Sequence, residues 1–447
     1  MLHIAKFYSS FYLHKRSYLL GSVGVALFAL SYFIPLLFIM AQVFIVCIVI
    51  FILFDIFLLY HKNNALQVTR VCVDRFSNGD DNKVILQFSN QYNFEVKGFV
   101  IDELPPQFQL RNWRRTFSLL SNAQHQIIYT LRPTQRGVYE FGNIIVVVAS
   151  PFQFIQKRLV FHQSKKVAVY PSFLQLKKFS IHAITNTPTD IGVKPIRKLG
   201  SSTAFEQIKE YVSGDDFRKI NWKATARKTN LMVNTFTDEK SQQIYCLIDK
   251  SRNMQMPFNG LTLLDHAINS AVIIANVALQ KQDKAGLIAF AESIDTHVVA
   301  DKKNTQMQQI LDSLYQQKTN FLDPNYEMLY AQVRNKIKQR SLLMVYTNFE
   351  SLYGLQRQLP YLKKIAHYHV LVVVIFENTA IKELTQKTAT HTEEIYLQII
   401  ADKFLYEKKQ MIKELQQNGI IAVLTTPQQL TINTLNKYLE IKSKQLI

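Results

Sequence analysis

The feature that most restricts this chain is the stretch 17–60, which is 44 residues long and carries a single charged side chain, Asp55. At about 1.5 Å per residue, one helix of that length would be roughly twice the ~30 Å thickness of a bilayer's hydrocarbon core. The stretch therefore predicts a transmembrane helical hairpin within residues 1–62, crossing near 17–35 and 40–60. Pro35 and the Ala41-Gln42 pair bracket the turn. It is too long for a cleaved signal peptide, and no small-residue cleavage pattern follows it. Lys6, Lys15 and Arg16 precede it, and Lys62 and Arg70 follow it. The turn is uncharged, so the positive-inside rule places both termini in the cytoplasm of a multi-pass inner (plasma) membrane protein. Asp55 reads either as a functional intramembrane acid or as a snorkelling or helix-packing residue near the interface.

The chain has 447 residues, enough for two or three domains with their own cores. Its net charge of +19 is dispersed, with no block of five or six like charges. That pattern argues against a nucleic-acid-binding arm and suits a protein held beside an anionic membrane face. The three cysteines, Cys47, Cys72 and Cys246, have no C-x-x-C or Cys/His partner. No zinc site or disulfide framework follows from them, and they read as small buried hydrophobes.

Residues 63–175 predict a small β-sandwich: β-rich runs such as Val84-Ile-Leu-Gln-Phe88 and Asn143-Ile-Ile-Val-Val-Val148 alternate with turn signals. Residues 176–240 form a linker and adaptor. The stretch 176–205 is polar and lacks periodicity, whereas Ser213-Gly-Asp-Asp216 predicts a helix start capped by Asp215 or Asp216. Phe217, Ile220, Trp222 and Ala224 would form its apolar side, with Arg227 and Lys228 at the far end. The plain reading of this piece docks the linker onto the last domain; the other gives Asp215, Asp216, Arg218 or Lys223 a ligand.

Residues 241–447 alternate strand and helix, which predicts an α/β doubly wound domain around a mainly parallel sheet. Its first strand, 244–248, runs straight into Asp249-Lys-Ser-Arg-Asn253. The carboxyl end of such a strand is where open α/β sheets hold ligands. Asp249, Ser251 and Asn253 put a carboxylate, a hydroxyl and an amide oxygen on one turn, the donor set that hard divalent cations take. The bland alternative is that Asp249 and Ser251 only cap the next segment.

These residues resemble membrane-anchored bacterial proteins of the "domain of unknown function 58" group, which carry a von Willebrand factor A-like domain. The resemblance rests on Arg132-Pro-Thr-Gln-Arg-Gly-Val-Tyr-Glu-Phe-Gly142, Ser150-Pro-Phe152 and, most specifically, on the run from Tyr211 to Arg227. That run contains Gly214, Asp215, Asp216, Arg218, Asn221, Trp222 and Lys223. The resemblance implies a magnesium site formed by Asp249, Ser251 and Asn253 from a first loop, Thr319 from a second and Asn348 from a third. Asn253 stands where the pattern has a hydroxyl and Asn348 where it has a carboxylate, so the site is degenerate and its occupancy stays open; nearby Asp323 is a candidate substitute acid. The resemblance also implies a protein partner, with a MoxR-type AAA+ ATPase suggested, and roles in envelope homeostasis.

The expected function is therefore a non-enzymatic, membrane-tethered protein-interaction scaffold. The alternative is a metal-assisted hydrolase using the Asp249 oxygens, with Glu292 and Asp295 on the same rim. Against it stands the lack of any Ser-His-Asp order, H-E-x-x-H or P-loop pattern.

Overall fold

The computed structural model describes residues 9–62, 65–172 and 204–446, apart from 214, 216, 218–219, 229, 238–240, 320 and 387–390. They form two compact units, Met1–Val169 and Tyr170–Ile447.

The first unit begins with a strand that the sequence reading missed. β1 (Phe11–Leu13) pairs with a strand far along the chain, so the β region does not start at residue 63. Helices α1 (Lys15–Leu30) and α2 (Leu36–Tyr60) are inserted after it. The following strands are β2 (Leu66–Cys72), β3 (Arg75–Ser77), β4 (Asn82–Asn90), β5 (Val96–Asp102), β6 (Arg114–Leu119) and β7 (Gln124–Leu131). β8 (Gly137–Phe141), β9 (Ile144–Ala149), β10 (Ile155–Phe161) and β11 (Lys165–Tyr170) complete the set. They pair as β1-β10-β9-β5-β6, β2-β4-β7 and β3-β11-β8. Alternating inward residues such as Val84, Leu86 and Phe88 of β4 and Ile144, Val146 and Val148 of β9 build their common core.

Of the two apolar helices, only α2 has the length and apolarity to cross a membrane. α1 has 16 residues, about 24 Å, shorter than the crossing expected at 17–35. The core helix Leu263–Gln280 also passes by length and composition, but 78% of its apolar window is buried. The last turns of α2 enter the β core. Asp55 is fully buried there and accepts hydrogen bonds from Ser150 Oγ and from the Phe154 backbone N–H at 3.2 Å. The helix's terminal carbonyl at Leu59 accepts from Tyr92 Oη at 3.0 Å and Lys157 Nζ at 3.1 Å. Asp55 is thus a packing residue, and Ser150 holds it. Cys47, expected inside, is exposed on α2.

In the second unit, β12 (Ala204–Glu210) and β13 (Met232–Thr237) form an antiparallel ribbon joined through the short helix α3 (Trp222–Thr225). β14 (Gln243–Asp249) follows, then the short pair β15 (Pro257–Phe258) and β16 (Leu261–Thr262). Helix α4 (Leu263–Gln280) starts at a capping box between Thr262 and Asp265. After it come β17 (Lys284–Phe290), β18 (Ile294–Asp301), α5 (Gln306–Tyr315), α6 (Tyr326–Lys336) and β19 (Leu342–Thr347). The chain ends with α7 (Leu352–Tyr368), β20 (Val370–Phe376), α8 (Thr379–Gln386), α9 (Thr392–Gln417), β21 (Ile421–Thr425) and α10 (Leu430–Ser443).

The sheet order is β18-β17-β14-β19-β20-β21, parallel throughout except for the β18 edge. Strand alternation splits β14 between two cores. Ile244, Cys246 and Ile248 pack with α4 and α10, while Tyr245 and Leu247 pack with α6, α7 and α9. Burial on both faces is what the uninterrupted apolar runs of β14, β19 and β20 required.

Candidate functional site

In this strand order the winding direction reverses between β14 and β19, and ligands of open α/β sheets bind outside the carboxyl ends of strands at such a point. Asp249 is the last residue of β14, and Thr347 the last of β19. They meet there: Thr347 Oγ1 donates to Asp249 Oδ2 at 2.7 Å, and Tyr326 Oη lies 2.8 Å from the same hydroxyl. The Ser251 backbone N–H donates to Asp249 Oδ1 at 2.8 Å. Asp249 is fully buried. Burial pushes its carboxyl up to about 6, against the opposing pull of the Thr347 and Ser251 hydrogen bonds.

Two oxygens beside it are poorly satisfied. Among the described residues Ser251 Oγ and Asn253 Oδ1 are both buried and neither makes a hydrogen bond of good geometry, although the Ser251 hydroxyl lies close enough to Asp249 to help hold its carboxyl down. A buried polar atom without a partner costs free energy, on the order of 1–3 kcal/mol, so two on one turn call for an explanation. They are two of the three first-loop oxygens expected to hold a cation, and a small hard cation would satisfy both. The first loop fits such an ion.

The other expected ligands behave differently. Thr319, after α5, is half-buried and makes no hydrogen bond among the described residues. Asn348, 9% exposed, has its oxygen engaged elsewhere: Lys408 Nζ on α9 donates to Asn348 Oδ1 at 2.8 Å. The Asn348 oxygen expected to face a metal is thus engaged by an ammonium. Asp323 does not stand in for the missing acid, because it pairs with Arg252 at 3.2 Å. Asp295 is not a bare rim acid; Lys250 holds it at 2.5 Å and keeps its carboxyl below the usual range. The cationic side chains flanking Ser251 are thereby neutralised.

Sequence reasoning passed over Lys408. Burial pulls its ammonium down to about 8, with Glu350 and Glu407 opposing. Lys408 and Asn348 also line a cavity of about 320 Å³, with Phe376, Phe404, Met256 and Glu350 on its other walls. A basic residue on an otherwise ordinary helix gives no local signal of this contact, which spans 60 residues.

The adaptor is reorganised relative to its expected helix. Among the described residues its α-helix is Trp222–Thr225, and the cap is Asn221, whose Oδ1 accepts from the Ala224 N–H at 3.0 Å. Asp215 accepts from Lys209 Nζ at 2.8 Å and from the Val212 N–H at 3.0 Å. The expected apolar side is not buried, since Phe217 and Trp222 are each 69% exposed. Tyr211 bonds backbone to backbone with Leu231, and Lys223 and Arg227 are exposed. Gly214, Asp216 and Arg218, like most of the linker expected at 176–205, lie outside the described residues.

Among solved structures, the SpRpn10 VWA domain is similar at 12% identity and a TM-score of 0.27, covering 43% of this chain and 93% of that one. The CARDB domain of a Pyrococcus furiosus protein, in complex with di-metal ions, gives 16% and 0.18 over 23% of this chain and 86% of that one. The ASH / PapD-like domain of human CEP192 gives 13% and 0.18, covering 24% of this chain and 86% of that one. None of these likenesses bears on activity. A 122-residue stretch is 28% identical to the uncharacterized protein YeaD of Bacillus subtilis (strain 168), covering 27% of this chain and 30% of that protein, so under a third of that relative is matched. The segment that carries the adaptor and the Asp249 loop, residues 207–386, matches the family described as Protein of unknown function DUF58.

Proposed function

We propose that this chain is a membrane-tethered, non-enzymatic protein-interaction scaffold. Its α/β unit grips a protein partner at the rim formed by the Asp249 loop and the turn after β19. The observation that carries the reading is the pair of buried oxygens, Ser251 Oγ and Asn253 Oδ1, that make no hydrogen bond of good geometry among the described residues, beside a buried Asp249 that no cationic side chain among them contacts. Such a loop is built to be completed from outside. Asp249, Ser251 and Asn253 are the residues that would hold a magnesium ion, and the ion would supply a positive centre for an acidic side chain of the partner. The cavity of about 320 Å³ beside Asn348 offers an apolar anchor point for the same partner. A MoxR-type AAA+ ATPase, working with the chain in envelope homeostasis, is the partner that the family resemblance suggests.

In this reading α1 and α2 together form the anchor in a bacterial plasma membrane, because β1 before α1 pairs with β10 after α2 and both must lie on one face. The turns of α2 from Asp55 onward belong to the β unit, which leaves residues 36–54, about 28 Å of helix, for lipid. The basic residues that flank the apolar stretch are the support for reading that face as cytoplasmic.

The test is crosslinking in native membranes followed by partner identification, with wild type, Asp249→Asn and Ser251→Ala compared at equal abundance. Loss of the same partner from both variants is the expected result. Recovery of every partner at wild-type yield would remove the rim from consideration.

A further inference from the structure

Asn348 is the one rim residue whose two amide atoms are assigned by their surroundings. Lys408 reaches it from α9, donating through Nζ to Asn348 Oδ1 at 2.8 Å and also to the backbone oxygen of Phe349. An ammonium can only donate, so the amide atom that faces it must be the oxygen. The NH2 group is then turned toward the first loop, where Nδ2 lies 3.5 Å from the Asn253 carbonyl oxygen. An amide nitrogen offers a cation no lone pair, and hard divalent ions take oxygen. Flipping the amide would bring the NH2 against the Lys408 ammonium, donor against donor. Asn348 is thus fixed in the orientation least useful to a metal, although the two orphaned oxygens of the first loop remain in place.

We infer that Lys408 is a lock on the rim's cation site: by holding the Asn348 oxygen, it keeps the third loop out of the coordination shell and sets the cation affinity low. Magnesium then depends on first-loop oxygens and whatever a partner adds. This rests on the proposed reading of the Asp249 loop, but its test measures metal binding and needs no partner, so the two can fail separately.

The lock makes an ordered set of expectations for the full chain in detergent, titrated with magnesium chloride or manganese chloride by calorimetry and by the shift in unfolding temperature. Lys408→Met frees the Asn348 oxygen and tightens cation binding about tenfold. Asn348→Asp alone brings no such gain, because the new carboxylate pairs with Lys408. Lys408→Met with Asn348→Asp binds tightest and loses its thermal shift on chelation. Asn348→Ala in the wild-type background leaves the affinity unchanged. The inference is overturned if folded Lys408→Met binds no more tightly than wild type, if Asn348→Asp alone gains the site, or if Asn348→Ala weakens it. Should Lys408→Met fail to fold, Lys408→Leu, which likewise has no donor, takes its place, and the two single Asn348 variants still decide between a locked amide and a ligating one.

Discussion

Two strands of this molecule, one in each unit, end on a fully buried aspartate, and the two carboxylates are treated in opposite ways. Asp102 closes β5 and is met by a guanidinium. Arg70 donates through Nε to Asp102 Oδ2 at 3.1 Å and through a terminal nitrogen to Oδ1, while Tyr129 Oη donates to Oδ2. Arg70 is finished off by the backbone oxygens of Gln163 at 2.8 Å and Gly142 at 3.1 Å, and its guanidinium lies 4.9 Å from the centre of the Phe141 ring. Asp249 closes β14 and receives only a backbone N–H and a hydroxyl. The first acid has its charge balanced inside the fold; the second is buried with its charge unbalanced and with unsatisfied oxygens next to it. Asp102 is balanced as part of the architecture. Asp249, at the carboxyl end of a strand where the winding of the sheet reverses, is left open as a site would be, whereas Asp55, which also lacks a cation, is held inside the β core by Ser150 and the Phe154 N–H.

The largest test of this contrast is Arg70→Met. It strands Asp102 as an uncompensated buried charge, which costs on the order of 3–5 kcal/mol, against a total stability of about 5–15 kcal/mol for a domain. Urea unfolding of the detergent-solubilised chain, followed by proteolysis to report on each unit, should show the first unit opening while the second holds. A cost below about 1 kcal/mol would mean that the Asp102 pair is no more structural than a surface bridge.

Asp249→Asn should behave in the reverse sense. The folded carboxyl sits at about 6, above its ordinary value of 3.8. The folded state therefore prefers the protonated acid: the contribution to stability is complete below pH 3.8 and disappears as pH rises through 6. Above that pH the charge is a burden, and the amide removes it. Stability at pH 8 should stay level or rise by up to about 3 kcal/mol. The difference between wild type and variant should shrink as pH falls from 6 to 4. A loss of more than about 2 kcal/mol at pH 8 would place Asp249 with Asp102, as a structural acid.

The contrast also explains what could be read from the chain. Asp249 was legible because a both-faces-buried strand has no polar residue until it ends, so the acid stands out, with Ser251 and Asn253 in the same turn. The Arg70–Asp102 pair was not. It joins residues 32 apart across different sheets, and Arg70 read as a charge flanking the apolar stretch. β1 was hidden for a similar reason: three residues ahead of a membrane-like helix carry no strand signal until β10 pairs with them. β18 is hard to read from the chain because a strand with one covered face at a sheet edge has a weaker apolar pattern. The start of α9 is equally hard to read, because Ile395, Tyr396, Leu397, Ile399 and Ile400 are all exposed. Lys408, on the same helix, is long-range by nature.

Ser251→Ala should separate function from stability most cleanly. Among the described residues the buried hydroxyl makes no hydrogen bond of good geometry, so deleting it removes little more than a weak interaction with Asp249. The unfolding free energy should change by less than about 1 kcal/mol, while cation binding and partner capture are lost together. A strongly destabilised variant would show that the oxygen is satisfied in solution by something other than a ligand.

The smallest effect belongs to an acid that is neither buried nor alone. Glu440 on α10 accepts from Lys437 and Lys444 at 2.7 Å each, and these two ammonium groups hold its carboxyl down at about 2. Its folded value lies below the ordinary one, so the pair's contribution is present above pH 4.5 and fades as pH falls toward 2. Exposure and salt screen such a cluster, and Glu440→Gln should leave the neutral-pH unfolding temperature where it was. Only an acid titration at low ionic strength should separate variant from wild type, with wild type holding its fold to a slightly lower pH. If Glu440→Gln destabilised the chain at neutral pH as much as Arg70→Met, the division between buried and exposed acids would not describe how this molecule uses its charges.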